Sequence, residues 1–369
     1  MTAPKVSVLM PVYNGERYVA EAIESILAQT FADFEFIIVD DGSTDGTPSI
    51  LAEYARQDPR IALLTNGANR GLVPTLNRGL KACRGEYIAR MDADDISLPE
   101  RLARQVTCMD QHPEVGVLGT NIAYIDSGGR LLNGGRPKDP EPMSPAMVHW
   151  SLLWHCAIYH PTVMVRRRVL EWTGFAYDPA FRHAEDRDLW TRLAPHTTIA
   201  SLSEILVHYR ILPTSVCRAH RGEQRARDRA ITHRELTILL GHAPSDEALN
   251  TAARVFARDR LGPHRDFAGA AHLLLRAYWR FGQRPLSPAD WRQIERDVAR
   301  RLLVIGREAA LHSPHAALQM LRRLRYLSLG ALLAPETARG VTGVLLRMVG
   351  LRRPARPDGS RSAIGGTGD

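Results

Sequence analysis

Between residues 5 and 95, apolar runs alternate with polar loops and with stretches of helical periodicity. This order of patterns predicts parallel β-α-β units, in which each crossover helix returns the chain to the same sheet. The predicted strands cover residues 5–10, 34–39, 61–64 and 86–91. Helices are predicted at residues 16–29 and 71–83. A further helix is predicted between them, with Thr47 as its N-cap and Pro48 in its first turn. Ligands of open α/β sheets bind outside the carboxyl ends of the strands, so the loops after these strands should meet in one crevice.

The fourth predicted strand ends in three carboxylates, Asp92, Asp94 and Asp95. Like charges this close repel one another, and burying them is costly unless a cation or strong hydrogen bonds compensate. A divalent ion is the simplest compensation, and hard oxygen ligands suit Mg²⁺ or Mn²⁺. Asp94 or Asp95 would equally serve as the N-cap of a helix that begins near Pro99. The run taken alone fits both roles.

Polar loops also follow the first three predicted strands, at residues 11–16, 40–46 and 66–71. Together with the acidic run they would bring an aromatic ring, two acids, an arginine and a metal site to one crevice. That set suits a nucleoside diphosphate, since acids accept bonds from base or ribose donors and arginine binds phosphate. The Asp-Gly and Asn-Gly pairs in these loops are also ordinary turn formers. The absence of G-x-G-x-x-G after the first strand and of G-x-x-x-x-G-K-[ST] anywhere argues against a dinucleotide dehydrogenase and a P-loop NTPase.

Five strings of residues carry a resemblance to a known family. They are VSVLMPVYNG at 6–15, IVDDGSTD at 38–45, NRGL at 69–72, GEYIARMDADD at 85–95 and HAEDRDLW at 183–190. In order and spacing they resemble glycosyltransferase family 2, the inverting enzymes of the GT-A fold, from Val6 to about Ser215. The resemblance implies an α/β fold with a Rossmann-like, mixed but mainly parallel sheet flanked by helices.

The same resemblance assigns roles to individual residues. Asp41 would bind uracil or another base, and Asp40 would line the nucleoside pocket with the loop after the first strand. The D-x-D metal motif for Mn²⁺ or Mg²⁺ would lie in the acidic run, read either as Asp92-Ala93-Asp94 or as Asp94-Asp95. The residues expected to contact the nucleotide-sugar donor are Pro11, Val12, Tyr13, Asn14, Asp40, Asp41, Asn69, Arg70, Asp92, Ala93, Asp94 and His160, and the expected metal ligands are Asp92, Asp94 and Asp95.

Residues 115–175 form the second half of the predicted domain. Strands are predicted at 115–119 and 121–125, a hairpin turn at 126–129, and a Pro- and Gly-rich loop at 131–145 that could close over the substrate. Members of the resembled family often carry a histidine where His160 stands, before the next strand. His160 could therefore face the site, and a histidine bonded to backbone at the start of a strand is the alternative.

Two adjacent carboxylates, Glu185 and Asp186, begin a predicted helix. The unpaired N–H groups and the dipole of a helix N-terminus attract negative charge, which favours the ionised form that a base requires. In the resembled family an acid here deprotonates the acceptor hydroxyl. We assign that role to Asp186, with Glu185 as the rival, and a capping carboxylate beside Arg187 is the structural alternative.

Charge divides the chain near Ser215. Residues 216–369 contain 27 arginines, no lysine and 14 acidic residues, a net charge of +13, whereas residues 1–215 carry −5. We therefore predict a catalytic domain at 1–215, an Arg-rich helical region at 216–358 and a disordered tail at 359–369. The helices predicted in the Arg-rich region cover residues 221–240, 245–260, 267–281, 287–310 and 314–327.

Two stretches of this region, residues 318–333 and 344–356, mix arginines with apolar residues. Such basic amphipathic helices fit peripheral docking on an anionic membrane face, although packing on the catalytic domain is the more common explanation for an apolar stripe, and an oligomerisation module is a further alternative. Scattered aromatic residues argue against nucleic acid. The four cysteines show no C-x-x-C spacing, and neither a signal peptide nor a membrane span is visible, so a cytoplasmic location is expected.

The expected activity is inverting transfer of a sugar from a nucleotide diphosphate sugar, a UDP-sugar being favoured. The acceptor would be a hydroxyl of a glycan or a lipid-linked molecule in cell-surface polysaccharide synthesis. A nucleotidyltransferase is the first alternative, disfavoured because no Gly-rich loop with Lys or Arg follows the first strand to hold a triphosphate. An inactive nucleotide-sugar-binding scaffold is the second, disfavoured because all the carboxylates are present.

Overall fold

The computed structural model describes residues 3–138, 143–212, 220–256, 265–327 and 335–348. Its strands are β1 (Val6–Val12), β2 (Phe34–Asp40), β3 (Ile61–Thr65), β4 (Tyr87–Arg90), β5 (Ile96–Ser97), β6 (Val115–Ile125), β7 (Met164–Arg166) and β8 (Thr198–Arg210). Its α-helices are α1 (Val19–Leu27), α2 (Thr47–Gln57), α3 (Leu72–Ala82), α4 (Arg101–Gln111), α5 (Pro145–Leu152), α6 (Arg167–Thr173), α7 (Glu185–Leu193), α8 (Arg221–Leu240), α9 (Asp246–Phe256), α10 (Phe267–Phe281), α11 (Pro288–Ala309), α12 (Pro314–Arg323) and α13 (Pro335–Met348). The chain divides into two compact units after Ala243.

All the described strands belong to one sheet in the first unit, in the order β3-β2-β1-β4-β7-β6-β8-β5. Strand β1 pairs in parallel with β2 and β4, and β2 pairs in parallel with β3. Strand β7 is antiparallel to β4 and β6, while β8 is parallel to β6 and antiparallel to β5. The prediction of an α/β fold with a mixed, mainly parallel sheet is confirmed. The loops that follow β1 to β4 therefore leave the sheet at one edge.

Helices cover both faces of this sheet, as the unbroken apolar strands require. In β1, Val8 and Met10 belong to the core cluster that includes Ile23 of α1. Leu9, which points to the opposite face, belongs to a second cluster with Leu76 of α3. Each of these side chains is at most 1% exposed, and burying one such side chain stabilises the fold by about 1.5–3 kcal/mol.

The N-terminus of α2 differs from its prediction. Gly46, not Thr47, is the N-cap, and Thr47 is the first helical residue. The Asp45 carboxylate accepts the Thr47 N–H at 3.0 Å, and the Thr47 hydroxyl oxygen accepts the N–H of Gly15 at 2.8 Å. The threonine thus ties the loop after β1 to the helix instead of capping it, and the nearby aspartate satisfies the helical N–H.

The second half of the sheet also departs from prediction. Residues 115–119 and 121–125 form one strand, β6, because a β-bulge against β8 at Thr120 and Asn121 absorbs the irregularity without a break. The turn at 126–129 is confirmed by a hydrogen bond from the Gly129 N–H to the Asp126 carbonyl at 3.0 Å. The segment predicted as a loop at 131–145 contains a short 3₁₀ helix, Asn133–Gly135, and its end opens α5.

Helix α8 packs against α7 in the first unit, although the sequence analysis assigned residues 221–240 to the C-terminal region. The guanidinium of Arg187, which is fully buried, donates to the carbonyl and carboxylate of Asp228 and to the Thr232 hydroxyl. The Asp188 carboxylate, also fully buried, accepts from Arg234 at 2.6 Å. These charge-assisted bonds explain why the compact unit continues to Ala243 and does not end near Ser215.

In the second unit, helices α9 to α12 lie within segments that the sequence predicted to be helical, whereas α13 was not among the predicted helices. Helix α10 has the predicted bounds, and α11 begins with a capping box in which Ser287 and Asp290 exchange hydrogen bonds. Met320 of α12 and Val344 of α13 are buried beside Gly306 of α11. Part of the apolar stripe in the predicted amphipathic segments is therefore occupied by helix packing.

Some predictions fall outside the described residues. They include residues 257–260 of a predicted helix, residues 328–333, residues 349–356 and the tail predicted as disordered at 359–369. Among the helices that are described, none combines the length and the apolar character needed to cross a bilayer.

Candidate active site

Asp41 joins the loops that follow β2 and β3. Its carboxylate is 4% exposed. Oδ1 accepts the Asn66 Nδ2 at 2.7 Å and the Arg70 N–H at 2.9 Å, and Oδ2 accepts the Gly71 N–H at 2.8 Å. Since a carboxylate has about four acceptor positions, one position on Oδ2 stays available to a ligand.

Gly42 brings the same two loops into close contact. Its φ is +73°, and a Cβ at this position would lie 2.5 Å from the backbone carbon of Ala68. Only glycine fits both the left-handed conformation and the close approach. The glycine of the Asp41-Gly42 pair is therefore needed for the close approach of the two loops as well as for the turn.

The loop after β1 meets the loop after β2 through Asn14. The Asn14 N–H donates to the Ser43 hydroxyl at 2.9 Å, and its Oδ1 accepts the Thr44 N–H at 2.8 Å. Asp40 is 3% exposed, and its Oδ1 accepts the Ser43 N–H at 3.0 Å. Tyr13 is 48% exposed and free to contact a ligand. Of the other predicted donor contacts, Pro11 and Val12 are buried in β1, whereas Asn69 and Arg70 are exposed after β3.

The acidic run lies at the end of β4. Donor atoms of Asp92, Asp94 and Asp95 all lie within 4.8 Å of one another. None of these residues caps α4, whose N-cap is Glu100, because β5 intervenes. Asp95 is 2% exposed; its Oδ1 accepts the Arg210 N–H at 2.8 Å, and its buried Oδ2 has no hydrogen-bond partner among the described residues.

The electrostatics of this run fit a divalent cation. Burial raises the pKa of Asp94 to about 6, with the charge of Asp92 adding to the effect. Burial also raises the pKa of Asp95, which the charges of Asp92 and Asp94 raise further. A hard divalent cation that takes oxygen ligands would bind the unpartnered oxygen of Asp95 and would stabilise the ionised form of both carboxyl groups. The helix-cap alternative is excluded, and the residues present fit Mg²⁺ or Mn²⁺.

Arg90 is a buried cation that sequence reasoning missed. It lies on β4, is 5% exposed and forms an ion pair with Asp92. Its positive charge also lowers the pKa of Asp94 and of Glu185, and so acts on both acidic groups. A charged residue inside an otherwise apolar strand, next to an acidic run, is the only sequence signal that could have found it.

Glu185 and Asp186 lie in the first turn of α7. Asp186 Oδ1 accepts the Arg187 N–H at 2.6 Å, and its Oδ2 accepts the Cys156 thiol at 3.4 Å. Glu185 is 6% exposed, and its buried Oε2 has no hydrogen-bond partner among the described residues. The two bonds that Asp186 accepts lower its pKa and so favour the carboxylate form.

Burial of Glu185 and Asp186 opposes the ionised form that the helix N-terminus was expected to favour. Burial raises the pKa of Glu185 to about 7, and repulsion from Asp186 contributes. Burial raises the pKa of Asp186 as well, against the hydrogen bond from the Arg187 N–H. Desolvation of the charged form exceeds the stabilisation that a helix dipole offers in its first turn.

His160 is not at the start of a strand, and its ring contacts other side chains rather than backbone. It begins a 3₁₀ helix, His160–Thr162, before β7, and its Nε2 lies 2.8 Å from the hydroxyl of Tyr177. Burial lowers the pKa of His160, and the charge of Arg90 lowers it further, which favours the neutral imidazole. The charges of Glu185 and Asp186 raise the pKa of Tyr177, after burial as the main cause. The hydroxyl of Tyr177, which sequence reasoning missed, therefore lies near the carboxylate pair.

Comparisons with known proteins agree with this arrangement. The profile described as glycosyl transferase family 2 matches residues 7–174. The putative glycosyltransferase EpsE of Bacillus subtilis is 41% identical over 197 residues, which are 52% of this chain and 67% of that protein. The UDP-Glc:alpha-D-GlcNAc-diphosphoundecaprenol beta-1,3-glucosyltransferase WfgD of Escherichia coli is 30% identical over 213 residues, which are 57% of this chain and 79% of that protein.

A likeness in fold extends further along the chain. The crystal structure of S. aureus TarS 1-349 in complex with UDP-GlcNAc superposes with a TM-score of 0.53 at 20% identity, covering 87% of this chain and 89% of that one. The GT-A fold expected from the sequence is confirmed. The profile match and the relatives together show that the chain belongs to glycosyltransferase family 2.

Proposed function

We propose that this glycosyltransferase moves a sugar from a UDP-sugar to a hydroxyl of a glycan or lipid-linked acceptor, with inversion at the anomeric carbon. The observation that carries the proposal is the arrangement of two acidic groups around one buried cation. Arg90 is paired with Asp92 of the acidic run, and its charge also acts on Glu185 at the start of α7. The acidic run would serve the diphosphate of the donor, and the carboxylates at the start of α7 would supply the general base.

The donor would bind along the loops after β1, β2 and β3. Asp41 keeps one acceptor position on Oδ2 for an N–H of the base, and the bonds it already accepts hold it in place. The exposed ring of Tyr13 offers an apolar surface beside that position. The exposed guanidinium of Arg70 would contact the diphosphate.

The acidic run would hold a divalent metal ion, Mn²⁺ or Mg²⁺. Its protein ligands would be Asp92, Asp94 and Asp95. The Oδ2 atom of Asp95, which has no hydrogen-bond partner among the described residues, is the best candidate for a bond to the ion. When bound, such an ion supplies Lewis-acid stabilisation of negative charge on the diphosphate. Arg90 would hold Asp92 in position from the buried side.

Asp186 would act as the general base. It removes the proton of the acceptor hydroxyl while the hydroxyl oxygen attacks the anomeric carbon from the face opposite the diphosphate. The bond from the anomeric carbon to the diphosphate oxygen breaks, its electron pair leaves with the nucleoside diphosphate, and the sugar passes through an oxocarbenium-like state. The hydrogen bonds that Asp186 accepts from Arg187 and Cys156 favour its ionised form.

The acceptor class rests on the relatives. The name of WfgD specifies a diphosphoundecaprenol-linked acceptor, and another relative, 34% identical over 211 residues, is the O-antigen biosynthesis glycosyltransferase WbnJ of Escherichia coli. A lipid-linked acceptor in cell-surface polysaccharide synthesis is the proposal consistent with both. Docking of the Arg-rich region, with its net charge of +13, on an anionic membrane would bring the site to that acceptor.

A donor screen with a product analysis tests the proposal. The full-length protein, supplied with Mn²⁺ and a panel of nucleotide sugars, should release UDP, and transfer to a lipid-linked acceptor should give a product of inverted anomeric configuration by NMR. Release of pyrophosphate would indicate a nucleotidyltransferase instead. Binding of UDP-sugars without turnover of any donor would indicate an inactive scaffold, and retention of configuration would exclude Asp186 as the base.

A further inference from the structure

Three potential metal ligands meet beside the start of α7, outside the acidic run. They are His183, at the entry to α7, and His220 and Glu223, at the start of α8. One donor atom of each lies within 4.8 Å of the others. The imidazole rings of the two histidines stack with centroids 4.3 Å apart, and His183 Nε2 lies 3.8 Å from Glu223 Oε2.

A buried nitrogen in this cluster lacks a partner. The His183 side chain is 10% exposed, and its buried Nε2 makes no hydrogen bond to any described residue. The separation of 3.8 Å from the Glu223 carboxylate is too long for a hydrogen bond. Leaving a buried nitrogen unsatisfied costs about 1–3 kcal/mol, so the position is poorly explained as a simple packing contact.

The charges around His183 favour the neutral ring, which is the form that binds a metal. Burial lowers the pKa of His183, and His220 and Arg182 lower it further against the opposing effect of Glu223. The cluster as a whole offers two imidazole side chains and one carboxylate as possible ligands.

We propose that His183, His220 and Glu223 bind a Zn²⁺ ion. Imidazole nitrogen suits Zn²⁺, and two histidines with one glutamate form a three-ligand set that leaves one position for water. Bonds of about 2.0–2.1 Å place zinc ligands about 3.3 Å apart, so the cluster must contract by at most about 1.5 Å. His220 is exposed, and its ring must rotate out of the stack to direct a nitrogen at the ion.

This ion would connect the N-terminal ends of α7 and α8 in the first unit. His183 comes just before Glu185, and Glu223 lies in the first turn of α8. The bond from Arg187 to Asp228 already connects the same two helices one turn further along. Zinc would therefore fix the N-terminus of α7. The inference does not depend on the proposed sugar transfer, because it concerns ligands other than those of the acidic run.

Co²⁺ substitution of the metal-free, full-length protein tests the site without an activity measurement. In excess Mg²⁺, which saturates sites made only of oxygen ligands, the wild type should bind Co²⁺ with the visible absorption of a nitrogen-ligated ion, and Zn²⁺ should displace it. His220→Gln and Glu223→Gln change exposed residues and should fold normally. Each should weaken Zn²⁺ binding by at least about 100-fold, and His183→Gln should do the same.

His112→Gln is the matched control, since His112 and Glu114 form another exposed pair, 3.3 Å apart, and this variant should bind Zn²⁺ like the wild type. The proposal is overturned if the wild type binds neither Co²⁺ nor Zn²⁺ in excess Mg²⁺. It is also overturned if His220→Gln and Glu223→Gln retain wild-type affinity.

Discussion

Replacing Asp94 by asparagine should stabilise the metal-free protein at alkaline pH while it removes activity. Burial, followed by the charge of Asp92, raises the pKa of Asp94 from 3.8 to about 6 in the folded chain. At a pH below about 4 the group is protonated in the folded and the unfolded chain, so it costs nothing. At a pH above about 6 it is ionised in both, and the folded chain bears the whole cost. The free energy of unfolding of the wild type should therefore fall as the pH rises through this window.

The size of the effect follows from the pKa difference. One unit corresponds to about 1.4 kcal/mol, so ionised Asp94 lowers the free energy of unfolding of the wild type by about 3 kcal/mol at pH 8. Asparagine carries no charge, so the substitution also removes the repulsion between residue 94 and the carboxylate of Asp95. The polar amide still loses hydration when buried, which leaves an expected gain of about 2–3 kcal/mol at pH 8 and almost none at pH 4.

Urea unfolding with a chelator at the two pH values measures this gain, and hydrogen exchange of β4 peptides reports on the first unit separately. Asp33→Asn, at an exposed position, controls for the loss of one negative charge. Added Mn²⁺ should reverse the order of stability, because an ion that binds only the folded wild type stabilises it. The reasoning fails if Asp94→Asn is no more stable than the wild type at pH 8, or if its gain is equal at both pH values.

Three further expectations concern the base, the nucleoside pocket and the Arg-rich region. Asp186→Asn should lower kcat by roughly 10² to 10⁴ with UDP affinity nearly unchanged, and an active Asp186→Asn beside a dead Glu185→Gln would exchange the two roles. Asp41→Ala should weaken UDP binding, measured by calorimetry, about five- to 150-fold, since a lost buried partner costs about 1–3 kcal/mol. Asn66→Ala should change UDP affinity little. Equal losses of affinity in the two variants would mean that the substitutions act through the structure of the loop. The full-length protein should bind anionic vesicles at low salt and release them at high salt, and indifference to vesicles at low salt would leave these helices a packing or oligomerisation role.

The parts of the fold that the sequence predicts well are those with strong local patterns. The bounds of β2 differ from prediction by one residue, and α8 and α10 have the predicted bounds. The first half of strand β8, in contrast, is missing from the predicted strands, because it mixes polar with apolar residues and is held by pairing with β6. Pairing between distant strands leaves no local pattern, so such extensions are not visible in the sequence.

The site divides in the same way. Asp41 and the acidic run stand in recognisable loops directly after strands, and their positions at the crevice edge follow from the topology. Cys156 and Tyr177 reach Asp186 and His160 only through the tertiary fold, with no motif around them. The sign of the pKa change at Glu185 was mispredicted because a helix N-terminus can be read from a sequence and burial cannot.

The bonds between α7 and α8 determine where this protein can be cut or recombined. A fragment ending at residue 215 would keep the buried guanidinium of Arg187 and lose Asp228 and Thr232, and Asp188 would lose Arg234. Each lost hydrogen bond to a charged group costs about 1.5–3 kcal/mol, which is a sizeable part of the stability of a whole domain. Chimeras that exchange the C-terminal helices between relatives should therefore place the junction after Ala243, so that the helix bearing the proposed base keeps its partners.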